Sequence, residues 1–450
     1  MAIVGGGLAG IAAALDCAAG GAEVSLLEVR PRLGGAAYSF ERDGLCLDNG
    51  QHVFLRCCVA YRALLGRLGS ERGVRIQPRL EIPVLKPGAE PVVLRRSALP
   101  APLHLAGALA RYRHIPLRQR ARAARAALAL ARLRADGEEA TEQTLGQWLA
   151  ARGQSPATVA ALWDLIALPT LNLPADEASL ALGAFVFRTG LLARADAGDI
   201  GFHDRPLGET IGEPALRALT QEGVDVRLGW RVVGLARAGN RFELHGGSQE
   251  LGADAVIVAL PHARAATLLQ PLAPALAGRV GALESSPIIN LHVVYDRRVS
   301  ELPFAAGVGT PVQYVFDRTQ AAGAPEGCQC LAVSLSGAQR EMAMSVDELR
   351  ERYLPAMAEL FPRARAARVE RFVVTREHAA TFRAAPGAGA LRPGPRTPIR
   401  GLYLAGAWTD TGWPATLESA VMSGRAAASA ALEELSLDAR AARASAVGAR

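Results

Sequence analysis

Apolar and polar positions at the start of the chain change from a strand pattern to a helix pattern and back. Residues 2–4 form a short apolar run, residues 8–19 are alanine-rich with helical spacing, and residues 23–28 form a second apolar run. Short buried strands on either side of one helix are typical of a parallel nucleotide-binding unit. The first 28 residues therefore predict a strand, a helix and a second strand of such a unit.

The rest of the chain continues both patterns in separate blocks. Residues 99–185 have mostly helical composition and spacing, whereas the blocks on either side contain short apolar runs. These runs predict strands within 76–94 and at 224–228, 230–235, 242–244, 253–261, 288–295, 312–316, 330–335 and 369–375. Helices are predicted at 214–222, 345–360 and 419–435, the second of them with a capping box of Ser345 and Glu348. A Pro/Gly-rich loop is predicted at 386–398.

The order of these elements predicts an α/β fold with two interleaved domains. A chain of 450 residues is too long for one ordinary core. We expect a Rossmann-like nucleotide-binding domain and a substrate-binding domain of mixed β-sheet and helices. The nucleotide-binding segments are predicted at 1–75, 205–280 and 380–436, the substrate-binding segments at 76–204 and 281–379, and a flexible tail at 437–450.

The glycines after the first strand have the spacing of a dinucleotide-binding turn. Gly5 permits the tight turn, Gly7 lets the backbone approach a pyrophosphate, and Gly10 allows close packing of helix and strand. The helix that starts at Leu8 and Ala9 adds backbone amides and the positive end of its dipole. This segment therefore predicts a pyrophosphate site.

Two features after the second strand define the nucleotide further. Glu28 ends that strand, where a carboxylate binds ribose hydroxyls. Gly34 and Gly35 follow, and a second glycine pair at this place is not needed for NAD. The pair suits flavin adenine dinucleotide, which runs deeper into its protein, so we predict FAD as the cofactor.

Charge and cysteine content exclude several classes of partner. The net charge is +7, and the positive charge is almost all arginine, Lys86 being the only lysine. Aromatic residues are not interleaved with the basic ones, so we expect no nucleic acid partner. The six cysteines form no Cys-x-x-Cys pair and accompany no histidine cluster, so we expect no metal.

The nucleotide strand starts at residue 2, which leaves no room for a signal peptide, so we expect a cytoplasmic protein.

Motifs at both ends of the chain resemble the flavin oxidoreductases of the amine oxidase and phytoene desaturase superfamily. They are the glycines of residues 5–10 and 34–35, the polar segment 48–55, and the C-terminal segment 404–420. Two positions depart from that pattern, since Ala36 stands where arginine is usual and Ala407 where aspartate is usual. Arg30 and Arg32 are the candidates to replace the missing arginine.

The resemblance also implies which residues contact the cofactor. Segment 48–55 would pass close to the flavin ring, and the helix that opens after Pro414 would direct its N-terminal amides at the flavin pyrimidine carbonyl. The implied FAD-binding residues are Gly5, Gly7, Leu8, Ala9, Gly10, Glu28, Arg30, Gly34, Gly35, Gly50, Gln51, Val233, Gly406, Thr416 and Leu417.

Residues 48–58 and 407–420 resemble one branch of the superfamily in particular. That branch reductively dehydroxylates hydroxysqualene to squalene in hopanoid biosynthesis. The resemblance implies a C30 isoprenoid substrate, hydride transfer from reduced flavin, and an electron donor that the sequence does not identify.

Four residues are candidates for the chemistry of this reaction. His52 or Asp410 would assist departure of hydroxide. Trp408 and Trp413 would line the cavity and stabilise a cation through their ring faces. The alternatives are plain packing for the two tryptophans, and an ordinary polar loop at Gln51 and His52.

Residues 95–135 form a basic and apolar helical stretch. The wider segment 91–135 contains ten arginines and no acidic residue. Such a stretch can lie on an anionic membrane, from which an insoluble substrate has to be taken. We expect peripheral contact with the cytoplasmic membrane face, the alternative being a solvated helical surface.

Other functions fit the same motifs. One alternative is oxidative catalysis on the same fold, by a carotenoid or phytoene-type desaturase or by an amine oxidase. An alternative of another class is a non-catalytic dinucleotide-binding protein that escorts lipid or scaffolds a membrane complex.

Overall fold

The computed structural model describes residues 1–134 and 137–448, without the side chains of 138–139 and 437–448. Residue 135, the last of the predicted membrane-contacting stretch, and residues 449–450 of the predicted tail lie outside the described residues. In the described part, no helix has the length and apolar character needed to cross a bilayer.

Twenty strands are present in the described residues. They are β1 Ala2–Val4, β2 Ser25–Glu28, β3 Ser39–Arg42, β4 Leu45–Asp48, β5 Phe54–Leu55, β6 Val74–Ile76, β7 Glu81–Leu85, β8 Val92–Arg95, β9 Ile200–His203, β10 Asp225–Leu228, β11 Gly234–Ala238, β12 Arg241–Gly246, β13 Gln249–Ala253, β14 Val256–Val258, β15 Ser285–Tyr295, β16 Phe304–Gly307, β17 Tyr314–Asp317, β18 Gln329–Ser336, β19 Val369–Phe382 and β20 Leu402–Leu404.

The α-helices are distributed along the whole chain. They are α1 Leu8–Ala19, α2 Val59–Arg67, α3 Ala106–Arg111, α4 Leu117–Arg132, α5 Glu138–Glu142, α6 Leu145–Ala151, α7 Pro156–Thr158, α8 Asp164–Leu171, α9 Leu180–Phe187, α10 Glu213–Gln221, α11 His262–Leu269, α12 Pro274–Gly281, α13 Gln339–Met342, α14 Val346–Leu360, α15 Ala388–Leu391 and α16 Leu417–Gly448. Short 3₁₀ turns at Glu71–Gly73, Leu103–Leu105 and Pro362–Ala366, and π-helical turns at Val159–Trp163, Arg188–Leu192 and Gly208–Gly212, connect some of them.

A parallel sheet in the order β10-β2-β1-β14-β20 forms the centre of the nucleotide-binding unit. Its strands come from distant parts of the chain, yet their carboxyl ends meet at one edge, where ligands of such sheets bind. Helices α1, α10 and α16 pack on one face, around Ile11, Ile257 and Tyr403. The antiparallel sheet β11-β12-β13 covers the other face, with Phe242 among its buried residues.

A second, mixed sheet has the order β19-β15-β18-β17-β16-β7-β8. Helix α14 packs on one of its faces, and its N-terminus has the predicted capping box, in which Ser345 and Glu348 exchange side-chain and backbone hydrogen bonds. Most of residues 99–185 is helical, as expected. The prediction of an α/β fold with a Rossmann-like unit interleaved with a mixed-sheet unit is confirmed.

The strand predicted at 230–235 is wrong in position. The Trp230 N–H donates to Glu28 O at 2.9 Å, and the Trp230 ring packs against Gly246, where an added Cβ would lie 1.7 Å from its Nε1. The chain therefore crosses at this point from the parallel sheet to the antiparallel one, and strand pairing resumes at Gly234 as β11.

Several other elements differ in extent from the prediction. The strand predicted at 253–261 is divided between the end of β13 at Ala253 and the shorter β14. β19 continues to Phe382 rather than residue 375, because β15 pairs with it along most of its length. The predicted loop at 386–398 includes the short helix α15. Helix α16 runs to Gly448, whereas we expected it to end at residue 435. The flexibility of 437–450 and the domain boundaries stay predictions.

Candidate active site

The first glycine turn is so tightly packed that side chains are excluded from it. Gly5 has φ +111°, and an added Cβ would lie 2.5 Å from Ala259 O. An added Cβ on Gly10 would lie 1.8 Å from Gly5 O, so α1 can approach the turn only through glycine. The N-cap residue of α1 is Gly7, so no side chain occupies the positive end of the helix. The amides at Leu8, Ala9 and Gly10 are therefore placed to bind an anion.

The second glycine pair lies directly against the first turn. The Gly34 N–H donates to Gly6 O at 2.9 Å, and an added Cβ on Gly35 would lie 2.7 Å from Gly7 Cα. Both Gly34 and Gly35 have positive φ, at +105° and +59°. The two loops together form a surface of bare backbone, which suits a pyrophosphate.

Of the two arginine candidates near Ala36, Arg32 is held at this surface. Arg32 is half-buried, its guanidinium lies 3.6 Å from the centre of the Tyr38 ring, and it donates to Gly35 O at 3.3 Å. Arg30 is exposed, and its backbone N–H donates to Glu28 Oε1 at 2.8 Å. Arg32 is therefore the better placed replacement for the missing arginine.

Glu28 is buried at the carboxyl end of β2, as the predicted ribose contact requires. Its Oε2 accepts from the Gly6 N–H at 2.6 Å, and each carboxylate oxygen keeps a lone pair for a further donor. Val233 lies on the segment that leaves this edge, with a 63% exposed side chain and its N–H bonded to His245 O at 2.8 Å. The contact of Val233 with FAD stays a prediction.

The C-terminal segment joins the same edge of the sheet. Gly406 follows β20 with φ +142°, and its N–H donates to Ser423 Oγ of α16 at 2.8 Å. Thr416 caps α16 by accepting from the Ser419 N–H at 3.2 Å, so the helix begins at Leu417. An added Cβ on Gly424 would lie 2.1 Å from Ala9 O, so α16 crosses α1 closely. The two ends of the chain thus converge on one site.

The two tryptophans have different surroundings. Trp408 is buried, its indole N–H donates to Leu260 O at 2.9 Å, and an added Cβ on Gly406 would lie 2.4 Å from its Nε1. This geometry favours the packing role for Trp408 over the catalytic one. Trp413 is half-buried, and its ring contacts Phe185 of α9 edge to face at 5.1 Å between centroids. Trp413 therefore remains a candidate for the wall of a substrate cavity.

Asp410 lies on an exposed turn rather than in a buried site. Its carboxylate accepts from the Gly412 N–H at 3.3 Å, and its own N–H donates to Pro393 O at 2.8 Å. Both hydrogen bonds stabilise the turn. None of the hydrogen bonds among the described residues joins Asp410 to His52. His52 is therefore the better placed of the two candidate acids.

His52 lies next to a small polar cavity. Its Nδ1 is 3.0 Å from Gly50 O, which assigns the ring proton to Nδ1 and leaves Nε2 to exchange protons. Burial lowers the pKa of His52 from its usual value. The cavity, of about 60 Å³, is lined by His52, Gln51, His203 and the Asp48–Arg318 ion pair, whose atoms are 2.8 Å apart. Burial also lowers the pKa of His203, to about 3.

The loop before His52 is held by the mixed sheet. Asn49 O accepts from Asn290 Nδ2 at 3.1 Å and from Thr375 Oγ1 at 2.8 Å, while Asn49 Nδ2 donates to Glu377 Oε1 at 2.8 Å. These contacts position Gly50 and Gln51. The Gln51 Nε2 atom is buried and has no hydrogen-bond partner among the described residues.

Two residues that organise the site were missed from the sequence. Arg392 is buried and donates to the carbonyl oxygens of Trp408, Thr409 and Trp413, which shapes the C-terminal loop. Glu418 accepts from the Ala60 and Tyr61 N–H groups and so caps α2. Both act on backbone groups far away in sequence, for which a local motif contains no signal.

The residues present fit FAD. Bare glycine backbone faces an uncapped helix N-terminus, a buried carboxylate stands at the ribose position, and unpaired polar atoms lie beside the Gly50 loop. An anionic, extended dinucleotide would satisfy all three. The individual contacts remain predictions.

Known proteins are similar to this protein over nearly the whole chain. Hydroxysqualene dehydroxylase from Rhodopseudomonas palustris is 29% identical over 95% of this chain and 96% of its own length. A 15-cis-phytoene desaturase from an Oncidium hybrid cultivar is 26% identical over 96% of this chain and 77% of its own length. The structure of cyclohexylamine oxidase from Brevibacterium oxydans superposes with a TM-score of 0.73 at 19% identity, over 97% of this chain and 99% of that one, which shows the shared fold.

The family-wide sequence pattern gives the strongest assignment. The pattern described as flavin containing amine oxidoreductase matches residues 8–432, which include the second glycine pair Gly34–Gly35, the Gly50 loop and the start of α16. FAD as cofactor and an oxidoreductase activity are thereby confirmed, and the non-catalytic alternative loses its support. This chain belongs to the flavin-containing amine oxidoreductases.

Proposed function

We propose that this oxidoreductase reductively dehydroxylates a long polyprenoid alcohol, with hydroxysqualene as substrate and squalene as product, in hopanoid biosynthesis. The observation that carries the proposal is end-to-end similarity to the hydroxysqualene dehydroxylase of Rhodopseudomonas palustris, of which 96% is covered. Only 77% of the Oncidium phytoene desaturase is covered at 26% identity. Oxidative desaturation of a carotenoid precursor is therefore the second candidate.

His52 of the Gly50 loop and the aromatic pair Phe185–Trp413 have distinct tasks in this reaction. Reduced FAD, when bound, supplies the hydride that replaces the hydroxyl group. His52 delivers a proton from Nε2 so that the hydroxyl leaves as water, while Gly50 O holds Nδ1. Phe185 and Trp413 present aromatic rings that stabilise positive charge on the substrate carbon.

The lowered pKa of His52 sets the pH dependence of this step. Burial disfavours the imidazolium, so the form that donates a proton is a minority above the usual histidine range. The fraction of His52 that can donate a proton rises as pH falls, by about tenfold per unit above its pKa. The rate of water loss should rise in the same direction.

Single-turnover oxidation of the reduced holoenzyme tests the proposal. Under anaerobic conditions, hydroxysqualene should oxidise the flavin and yield one squalene per flavin, faster at lower pH. His52→Ala should slow this reaction and remove its pH dependence, whereas Trp408→Phe should retain it. Flavin that is oxidised by no polyprenoid alcohol would refute the proposal. Oxidised enzyme that desaturates phytoene would favour the second candidate.

We further propose that the chain takes this substrate from the cytoplasmic face of an anionic membrane. We assign the contact to part of the basic stretch, because Arg96 pairs with buried Asp199 at 2.6 Å and Ile115 is buried. The patch consists of Leu99, Leu103 and Leu117, which are 53%, 57% and 72% exposed, with the exposed arginines Arg111, Arg113 and Arg118. Exposed leucines flanked by arginines suit the interface of an anionic bilayer.

A further inference from the structure

A buried amide in the mixed sheet has one atom without a partner. Asn290 is fully buried near the middle of β15, and its Nδ2 donates to Asn49 O at 3.1 Å. A backbone carbonyl only accepts hydrogen bonds, so this contact identifies the nitrogen end of the amide. The other end, Oδ1, is buried and accepts no hydrogen bond from any described residue.

The side chain that carries this oxygen lies beside the loop that is predicted to pass close to the flavin. An added Cβ on Gly50 would lie 3.2 Å from Asn290 Nδ2, so the two residues are neighbours. The next residue, Gln51, has a buried Nε2 that also lacks a partner. Two buried polar atoms of neighbouring segments, the acceptor Asn290 Oδ1 and the donor Gln51 Nε2, are thus left unpaired, and buried polar groups are normally satisfied. A bound molecule with both a donor and an acceptor would satisfy them.

We propose that Asn290 Oδ1 accepts the N–H that the flavin ring gains on reduction, and thereby stabilises the reduced cofactor. The oxidised ring has a lone pair at that nitrogen, which would repel the amide oxygen. Asn290 therefore raises the midpoint potential of the bound flavin, which favours reduction of the flavin by its electron donor. The inference rests on the FAD dependence of the family and holds whatever the substrate is.

If Asn290 served only to hold the loop, loss of any equivalent hydrogen bond to the loop should change the flavin in the same way. A variant of the neighbouring residue Thr375 can test this alternative. Thr375 Oγ1 donates to the same Asn49 O at 2.8 Å, but Thr375 carries no unpaired buried oxygen. Thr375→Val thus removes an equivalent hydrogen bond to the loop and leaves Asn290 Oδ1 intact. It is a matched control for the loss of the loop contact.

The midpoint potential of the holoenzyme, measured by equilibration with a redox dye without substrate, decides between these roles. Asn290→Leu should lower the affinity for reduced relative to oxidised FAD about five- to tenfold, a shift of about 20–30 mV for a two-electron couple. Thr375→Val should keep the wild-type potential. If Asn290→Leu does not retain flavin, Asn290→Val, which suits a strand, replaces it.

An unchanged potential in the Asn290 variant, or an equal shift in Thr375→Val, would overturn the proposal. Because no polyprenoid enters this measurement, its outcome is independent of the dehydroxylation test.

Discussion

At the scale of single residues, the cofactor site depends on its glycines, which have no side chain, as much as on the side chains of other residues. Gly10 and Gly5 touch through backbone atoms, and Gly35 lies against Gly7 in the same way. The contact of Gly35 with Gly7 brings the two loops together, and we predict that the pyrophosphate of FAD binds against their backbone. Because the requirement is local and steric, the glycine spacing was readable from the sequence.

Gly10→Ala should therefore damage the cofactor site. The new Cβ would meet Gly5 O at 1.8 Å, a backbone atom that moves only if the turn opens. We expect FAD to bind at least about tenfold more weakly, equivalent to about 1.4 kcal/mol, in a titration that follows quenching of flavin fluorescence. Gly278→Ala on α12 is the control, because nothing lies within 4 Å of its added Cβ. Equal affinities for the two variants would contradict this account of the turn.

At the scale of elements, helix N-termini are used in two ways. Helix α1 starts at Gly7 without a side-chain cap, which leaves its amides for a ligand. Helix α2 instead has its first amides bonded to Glu418, a buried residue at the start of α16. Glu418 thus ties the helix after the Gly50 loop to the helix after Gly406. The N-terminus of α1 can bind a ligand because only glycine precedes it, whereas the N-terminus of α2 is already paired with a side chain of α16.

Glu418→Gln should weaken this connection. The carboxylate accepts from the Ala60 and Tyr61 N–H groups, whereas the amide nitrogen of glutamine cannot accept either. One buried N–H is then unpaired, so the free energy of unfolding of the FAD-saturated protein should fall by about 1–3 kcal/mol in urea titrations. Ser429→Ala, at an exposed site on the same helix, should stay near wild type. A stability for Glu418→Gln that matches this control would show that the cap is dispensable.

At the scale of the whole molecule, the mixed sheet holds the loop before His52, and the helical region contacts the C-terminal loop. Asn290 and Thr375 of the mixed sheet bond to Asn49, and Trp413 contacts Phe185 of α9. Helix α3 contacts the 3₁₀ turn that precedes it and α4, so the exposed leucines belong to adjoining elements. Helix α4 also contacts α9, so the elements of the proposed membrane patch pack against the helix that contacts Trp413.

Binding to phosphatidylglycerol vesicles at low salt tests that patch on the whole molecule. The triple change Leu99→Ser, Leu103→Ser and Leu117→Ser should reduce co-sedimentation more than about tenfold, because each leucine buries apolar area worth about 1.5–3 kcal/mol when fully inserted. Arg111→Gln with Arg118→Gln should weaken binding mainly at low salt. Leu216→Ser with Val346→Ser, at exposed sites elsewhere, should have no effect. Wild-type protein that stays in the supernatant would refute the membrane proposal.

The local sequence pattern was sufficient to predict those elements whose structure depends on residues close along the chain. The turn around Gly5, the strand that ends at Glu28 and the capping box of α14 were predicted from the sequence, since each depends on residues close along the chain. The strand predicted at 230–235 failed because the Trp230 N–H bonds to Glu28 O, a contact across about 200 residues that no local pattern contains.

The sequence by itself determined the FAD turn, the interleaved α/β fold and the set of candidate residues, because glycine sterics and hydrophobic spacing act locally. Only the tertiary structure decided which candidates share a site. In the folded chain Trp408 is buried with its indole N–H bonded to Leu260 O, and Asp410 lies on an exposed turn. Asn290 of β15 lies beside Gly50. Burial and hydrogen bonding between distant segments decide these outcomes, since they set whether a polar atom is satisfied within the chain or left for a ligand.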